Sequence, residues 1–203
     1  MNQKDTAIQK ARELAVEYQA TLVGCGHCSF AATVDALRDV GIELVDERLE
    51  NEMFKGLMGL TGGIGNLGYG TCGALSGAGF ALSIAIGVGR KELSEDRRNR
   101  WIPYYYVKET MGDKWLAEYH GLSCRHTQIK NFGRAWNSRI PEMSKELFAN
   151  AQERGCRIPS ACTIANASAM AVEAIFDIRE NPKDLEYLKD KYESIPEGIQ
   201  KEA

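Results

Sequence analysis

GLMGLTGGIGNLGYGTCGALSGAGFALSIAIGVG, residues 56–89, carries no charged side chain and holds twelve of the chain's 20 glycines. Its two halves differ in build. The first, GLTGGIGNLGYG (59–70), is too glycine-dense for a helix and predicts a loop with several backbone positions that need a missing Cβ. The second, from Cys72 to about Val88, predicts a helix. Thr71 to Gly89 is about long enough to span a bilayer. Its Gly, Ser and Ala content is only weakly apolar, however, and aromatic or basic flanks do not mark both ends. A buried central helix is the better reading, and no membrane span is expected. Gly73, Gly77, Ala81 and Ala85 recur at i+4, a stripe of small residues that lets another helix approach closely. That helix belongs either to the chain's own core or to a second copy, and the second option makes a homodimer the expected assembly.

Outward from this segment the periodicity is helical throughout. Upstream, residues 3–19 place Ile8, Ala11, Leu14, Ala15 and Tyr18 on one face. A second helix is expected over 28–40, stopped by Gly41, and a third over 46–57. Downstream, RKELSEDRRNR (90–100) reads as a solvated turn. Trp101 to Met111 reads as a helix with Pro103 in its first turn; its aromatics either flank a flat cofactor or pack the core. A short helix follows Gly121, another covers 142–153, and Ser160 to Arg179 is a long Ala-rich helix with Ile164, Ala167, Ala171, Ala174 and Ile175 inward. Asn181-Pro182 breaks it, and a charged terminal helix ends near Ile195-Pro196. With no strand pattern and no repeat, the expected fold is all-α: a compact multi-helix bundle in which a Gly-rich loop feeds a central buried helix. Residues 1–180 are expected to form one cysteine-containing domain, and residues 181–203 a charged C-terminal helix or tail.

The chain has 203 residues, 44% hydrophobic and 26% charged, with a formal charge of -3. That balance points away from nucleic acid as a partner. The first residues, MNQKDTAIQK, contain no apolar signal core, so the expected compartment is the cytoplasm. Thiols stay reduced there, and six cysteines are then better read as metal ligands or redox groups than as structural disulfides.

Those cysteines are Cys25, Cys28, Cys72, Cys124, Cys156 and Cys162. Four share a local setting. Cys28 precedes the apolar run SFAATVDAL, Cys72 follows Gly70-Thr71, Cys124 follows Gly121-Leu122-Ser123, and Cys162 follows Pro159-Ser160. With Thr71 and Ser160 as caps, each would occupy the first turn of a helix. First-turn N–H groups lack intrahelical partners and the dipole is positive there, so a thiolate is stabilised and an anionic centre is attracted. Thiolates are soft ligands that suit iron–sulfur clusters or zinc. Alternatively, some of these cysteines are small buried hydrophobes. The pair Cys25-Gly26-His27-Cys28 also admits a dithiol, although the βαβ context of thioredoxin-like sites is absent. Ser29 follows Cys28 where a covalent haem site needs histidine. A zinc tetrahedron lacks a second C-x-x-C, though Cys156 and Cys162 could serve as a loose pair. His120 stands four residues before Cys124 and would share its face on a continuous helix.

These four cysteines in order resemble the redox-active C-GCAxxG-C-C family. Cys28 in GHCSFAATVDAL matches the first, Cys72 in GTCGALSG the motif centre, Cys124 in GLSCRHTQ the third, and Cys162 in SACTIANASAMAVEAI the fourth. Split-Soret-type cytochromes look like haem-bearing relatives that also carry an iron–sulfur centre. This chain lacks their haem attachment sequence, so the resemblance implies a cluster on Cys28, Cys72, Cys124 and Cys162 and no covalent haem. Cys25 and Cys156 are additional, and with His120 they are secondary ligand candidates. The expected function is electron transfer with an unidentified redox partner protein. The alternatives are a thiol-disulfide oxidoreductase using Cys25 and Cys28, with His27 tuning the thiolate, and a structural zinc protein.

Overall fold

The computed structural model describes residues 2–155 and 158–192, and these are mainly helical. No strand occurs among the described residues; Thr71 and Ser123 form an isolated antiparallel bridge. The core is built from four helices: α1 (Gln3–Thr21), α2 (Cys25–Asp39), the central helix α4 (Gly73–Ile86) and α10 (Thr163–Glu180). α2 packs on α1, α4 and α10, and α10 also packs on α1 and α4. Their contact faces are largely alanine: Ala7, Ala11 and Ala15 on α1, Ala32 and Ala36 on α2, Ala74 and Ala78 on α4, and Ala167, Ala171 and Ala174 on α10. Small side chains keep the axes close, so backbone and Cβ atoms fill the core at high density. The larger residues Leu37, Leu82, Trp115 and Ile175 fill what remains.

The small stripe is used inside the chain. A Cβ on Gly77 would stand 1.9 Å from the Gly26 carbonyl oxygen of α2, and one on Gly73 would stand 2.5 Å from the Cys25 Sγ. Ala81 joins Phe30 and Val34 of α2 in a second apolar cluster. Gly73, Gly77 and Ala81 of the stripe therefore seat α2 within the chain. No helix among the described residues is long and apolar enough to cross a membrane.

Several helix boundaries differ from the periodicity reading, each for a local reason. α2 begins three residues early because Gly24, at φ 150°, turns the chain into the helix directly before Cys25. α3 (Glu47–Leu57) starts where expected, with the Asp46 carboxylate accepting the Leu49 N–H at 2.9 Å. Residues 90–100 are not a turn. They form α5 (Arg90–Glu95), where Glu92 caps the Gly89 N–H at 2.9 Å, and then a 3-10 turn at Arg97–Arg100. The aromatic helix α6 (Trp101–Tyr106) widens into a π-helical turn, Val107–Gly112, and continues as α7 (Asp113–Tyr119), which the periodicity did not reveal. α8 (Cys124–Phe132) and α9 (Pro141–Asn150) follow. α10 begins at Thr163 rather than Ser160, because the Ile158 carbonyl takes the Ala161 and Cys162 N–H groups in a preceding turn. After the break at Asn181, α11 (Leu185–Tyr192) lies on α6, with Leu188 fully buried and Tyr187 edge-on to Tyr105. The expected end of that last helix, near Ile195-Pro196, lies outside the described residues.

Candidate functional site

Three helix starts meet beneath the Gly-rich loop. Cys25 is the first residue of α2, Cys72 is the N-cap of α4, and Cys124 is the first residue of α8. The loop is folded by its glycines: Gly62, Gly63, Gly65 and Gly68 all have positive φ. At Gly63 the requirement is also spatial, since a Cβ there would stand 2.8 Å from the Gly70 carbonyl oxygen and 3.0 Å from the Cys124 Cβ. The Gly70 carbonyl accepts the Cys124 N–H at 3.0 Å, and the Leu122 carbonyl accepts the Cys72 N–H at 2.7 Å. These bonds hold the starts of α4 and α8 side by side.

The three cysteines line one cavity of about 310 Å³, together with Thr61, Gly62 and Gln128 and an apolar wall that includes Phe132, Leu147 and Ile164. The Gly62 N–H donates to the Cys25 Sγ at 3.4 Å. Burial pushes the Cys25 thiol up, while amides at Gly62, Cys25, Ala74 and Gly73 oppose that shift. Burial also pushes Cys72 up to about 12, with Cys25 and Cys124 as like-charged neighbours, and Cys124 up to about 11. Desolvation thus outweighs the helix starts for an unligated thiol, and all three are protonated at neutral pH. Gln128 is one helical turn after Cys124. Its Nε2 donates to the Cys124 Sγ at 3.2 Å, and its Oε1 accepts the Trp136 N–H at 2.9 Å. The i+4 spacing from a cysteine on a helix was the available signal for Gln128. The Thr61 Oγ1 is buried in this wall without a hydrogen-bond partner.

Cys28 and Cys162 lie elsewhere. Both are fully buried in the four-helix core and neither lines the cavity. Cys28 is in the second turn of α2, its N–H bonded to the Gly24 carbonyl at 3.2 Å, and burial pushes its thiol up to about 12 with Cys25 and Cys162 as neighbours. Cys162 is the N-cap of α10. The cysteines therefore form a chain of neighbours from Cys124 through Cys72, Cys25 and Cys28 to Cys162. Cys156 lies outside the described residues. His120 is exposed and left-handed (φ 56°) at the end of α7, so it shares no helix with Cys124. His27 is buried against Phe54, ring centroids 4.8 Å apart, with its Nδ1 unpartnered and its pKa lowered by burial. A neutral, core-facing imidazole gives a Cys25 thiolate no positive charge. Among the described residues no three Cys, His, Asp or Glu side chains close around a single metal ion.

Neither a search of curated proteins nor a search of solved structures gave a match. A family profile described as "Putative redox-active protein (C_GCAxxG_C_C)" matches residues 25–174. The match opens at Cys25, spans the Gly-rich loop and the starts of α4 and α8, and closes inside α10. The chain carrying this buried row of thiols therefore belongs to the C_GCAxxG_C_C redox-active family.

Proposed function

We propose that the chain is an electron-transfer protein that holds an iron–sulfur cluster in the cavity beneath the Gly-rich loop, in a compartment where thiols stay reduced. The observation that carries this reading is the meeting of three cysteines from three separate helix starts in one apolar-walled cavity. Cys72 and Cys124 remain in the ligand set that the family resemblance implies. Cys25 joins them as the third cavity thiol. Cys28, three residues further on α2 and the neighbour of Cys25 in the core behind the cavity, would complete the set as the fourth ligand by turning toward the cavity when the cluster binds. Two further observations support the fit. The orphaned Thr61 hydroxyl awaits an acceptor in the cavity, and Gly73 leaves open the space beside the Cys25 sulfur that a Cβ would fill. Among the described residues no three of these side chains close around a single ion, so a centre of several atoms is preferred here to a zinc tetrahedron.

When bound, such a cluster supplies one-electron transfer. The chain's own residues then have distinct tasks. The four cysteines give up their protons on binding, which removes the desolvation that keeps them neutral. The Gly62 amide and the Gln128 side chain donate to sulfur. Phe132, Leu147 and Ile164 exclude water.

Visible absorption after anaerobic reconstitution tests the ligand set. Cys25→Ser, Cys72→Ser and Cys124→Ser should lose most of the absorption, because a serine hydroxyl is a harder and rarely ionised ligand. Cys162→Ser should keep it. Full absorption in Cys25→Ser with loss in Cys162→Ser would restore the four cysteines of the family motif as ligands. A thiol-disulfide role for Cys25 and Cys28 has their C-x-x-C spacing in its favour; it requires a colourless protein with exchange activity that Cys28→Ser abolishes.

A further inference from the structure

The segments that wrap the cavity are electrically unlike the rest of the chain. Residues 56–76 carry no charge at all, and residues 119–141 carry Arg125, Lys130, Arg134 and Arg139 without a single carboxylate, in a chain whose net charge is -3. The two segments form one face: Arg125 N–H donates to the Gly68 carbonyl at 3.1 Å, and the Ser138 hydroxyl donates to the Asn66 carbonyl at 2.6 Å. Lys130 and Arg134 are paired with Glu118 and Glu146. Arg125 and Arg139 have no carboxylate partner among the described residues. The Arg125 guanidinium lies 5.2 Å from the centre of the Tyr69 ring.

The loop in the middle of this face turns apolar side chains outward. Ile64 is 57% exposed, Leu67 44% and Tyr69 65%. Ile64 does so at φ 64°, a conformation that a β-branched residue adopts only at a cost and that glycine would adopt freely. Two residues before it, the Gly62 amide touches the Cys25 sulfur. An exposed apolar tip with unmatched cations beside it therefore lies directly over the thiols.

We propose that this face docks an acidic one-electron carrier protein, with Ile64, Leu67 and Tyr69 as the apolar centre and Arg125 and Arg139 as the charged rim. The proposal rests on the cluster reading for its purpose, since electrons must enter or leave through the loop. Electron-transfer encounters use small interfaces, with charge complementarity steering the approach and a few apolar contacts completing it. A nucleic acid would find only two unmatched cations here. An anionic lipid surface is the remaining competitor, and it enters the test.

The probe is an acidic plant-type [2Fe–2S] ferredoxin, with basic cytochrome c and phosphatidylserine vesicles as comparisons. Binding to the full chain is measured at low and at high salt, with the chain's own iron content determined before the probe is added. Ferredoxin should bind roughly tenfold or more tighter than cytochrome c at low salt, and screening should remove the difference. The double variant Arg125→Glu/Arg139→Glu should lose at least that preference. Ile64→Gly should melt no lower than wild type, because glycine suits the positive φ, and should still bind more weakly. Equal binding of cytochrome c, an unchanged affinity in the double variant or in Ile64→Gly, or tighter binding to vesicles than to ferredoxin would overturn the docking face. Ferredoxin binding by a chain that takes up no iron would keep the face and remove the cluster. An iron-loaded chain that ignores ferredoxin would do the reverse.

Discussion

A cysteine in this chain is first a buried thiol and only then a ligand. Cys28 and Cys72 are held up at about 12 and Cys124 at about 11, against an ordinary value near 9, and burial is the largest cause in each. Folded-state values raised in this way have a definite consequence for the metal-free protein. Below pH 9 both folded and unfolded chains keep these protons, and the stability is fully present. Between about pH 9 and 11 the unfolded chain releases protons that the folded chain retains, so stability falls as pH rises. The slope is at most about 1.4 kcal/mol per pH unit for each thiol. Urea midpoints of the metal-free protein at pH 8 and pH 10.5 should show that loss, and Cys28→Ala should reduce it. A midpoint that stays level would mean the thiols are not desolvated as described. At this scale the sequence was a partial guide. Cys72 and Cys124 could be recognised from the glycine and serine before them. Cys25 could not be placed in the cavity, because its position depends on Gly24 starting α2 early. His120 was misleading, since Gly121 and Leu122 interrupt what looked like one helix.

Among the elements, α4 decides the packing. Its Gly77 meets the Gly26 carbonyl so closely that any Cβ must push α2 away, whereas its Gly79 has nothing within 4 Å. The two glycines thus give opposite expectations for the same substitution. Gly77→Ala should destabilise the fold by about 1–3 kcal/mol or more, through overpacking. Gly79→Ala should stabilise it by about 0.5–1 kcal/mol, the ordinary gain of alanine over glycine within a helix. Thermal or urea unfolding of both variants checks this, and equal effects would place the stripe away from α2. The existence and order of the core helices were legible in the chain because apolar spacing alone marks a buried face. Their starts were less so. Ser160 looks like a cap, yet the turn built on the Ile158 carbonyl passes it by, and Cys162 itself occupies the capping position. α7 carries little helical signal in the sequence because only Trp115 and Tyr119 are buried on it, a single i+4 pair.

For the whole molecule, α2, the Gly-rich loop with the α4 it feeds, and α8 come from separate parts of the chain, and their junction creates the cavity. Helical periodicity could announce an all-α bundle, but it carried no information on which helix starts converge. Four were expected at one point; three line the cavity, and the fourth, at α10, lies in the core behind it. Alanine faces keep the bundle tight enough to bury Cys28, Cys72 and Cys162 and to half-bury Cys25 beside them, and that burial makes the site costly until a soft ligand takes the protons' place. The most direct test is the iron and acid-labile sulfide content of the wild-type chain after reconstitution without oxygen. Equal amounts of both, on the order of two to four per chain with a brown colour, are expected for a thiolate-ligated cluster. A colourless chain that retains neither iron nor sulfide would contradict the cluster.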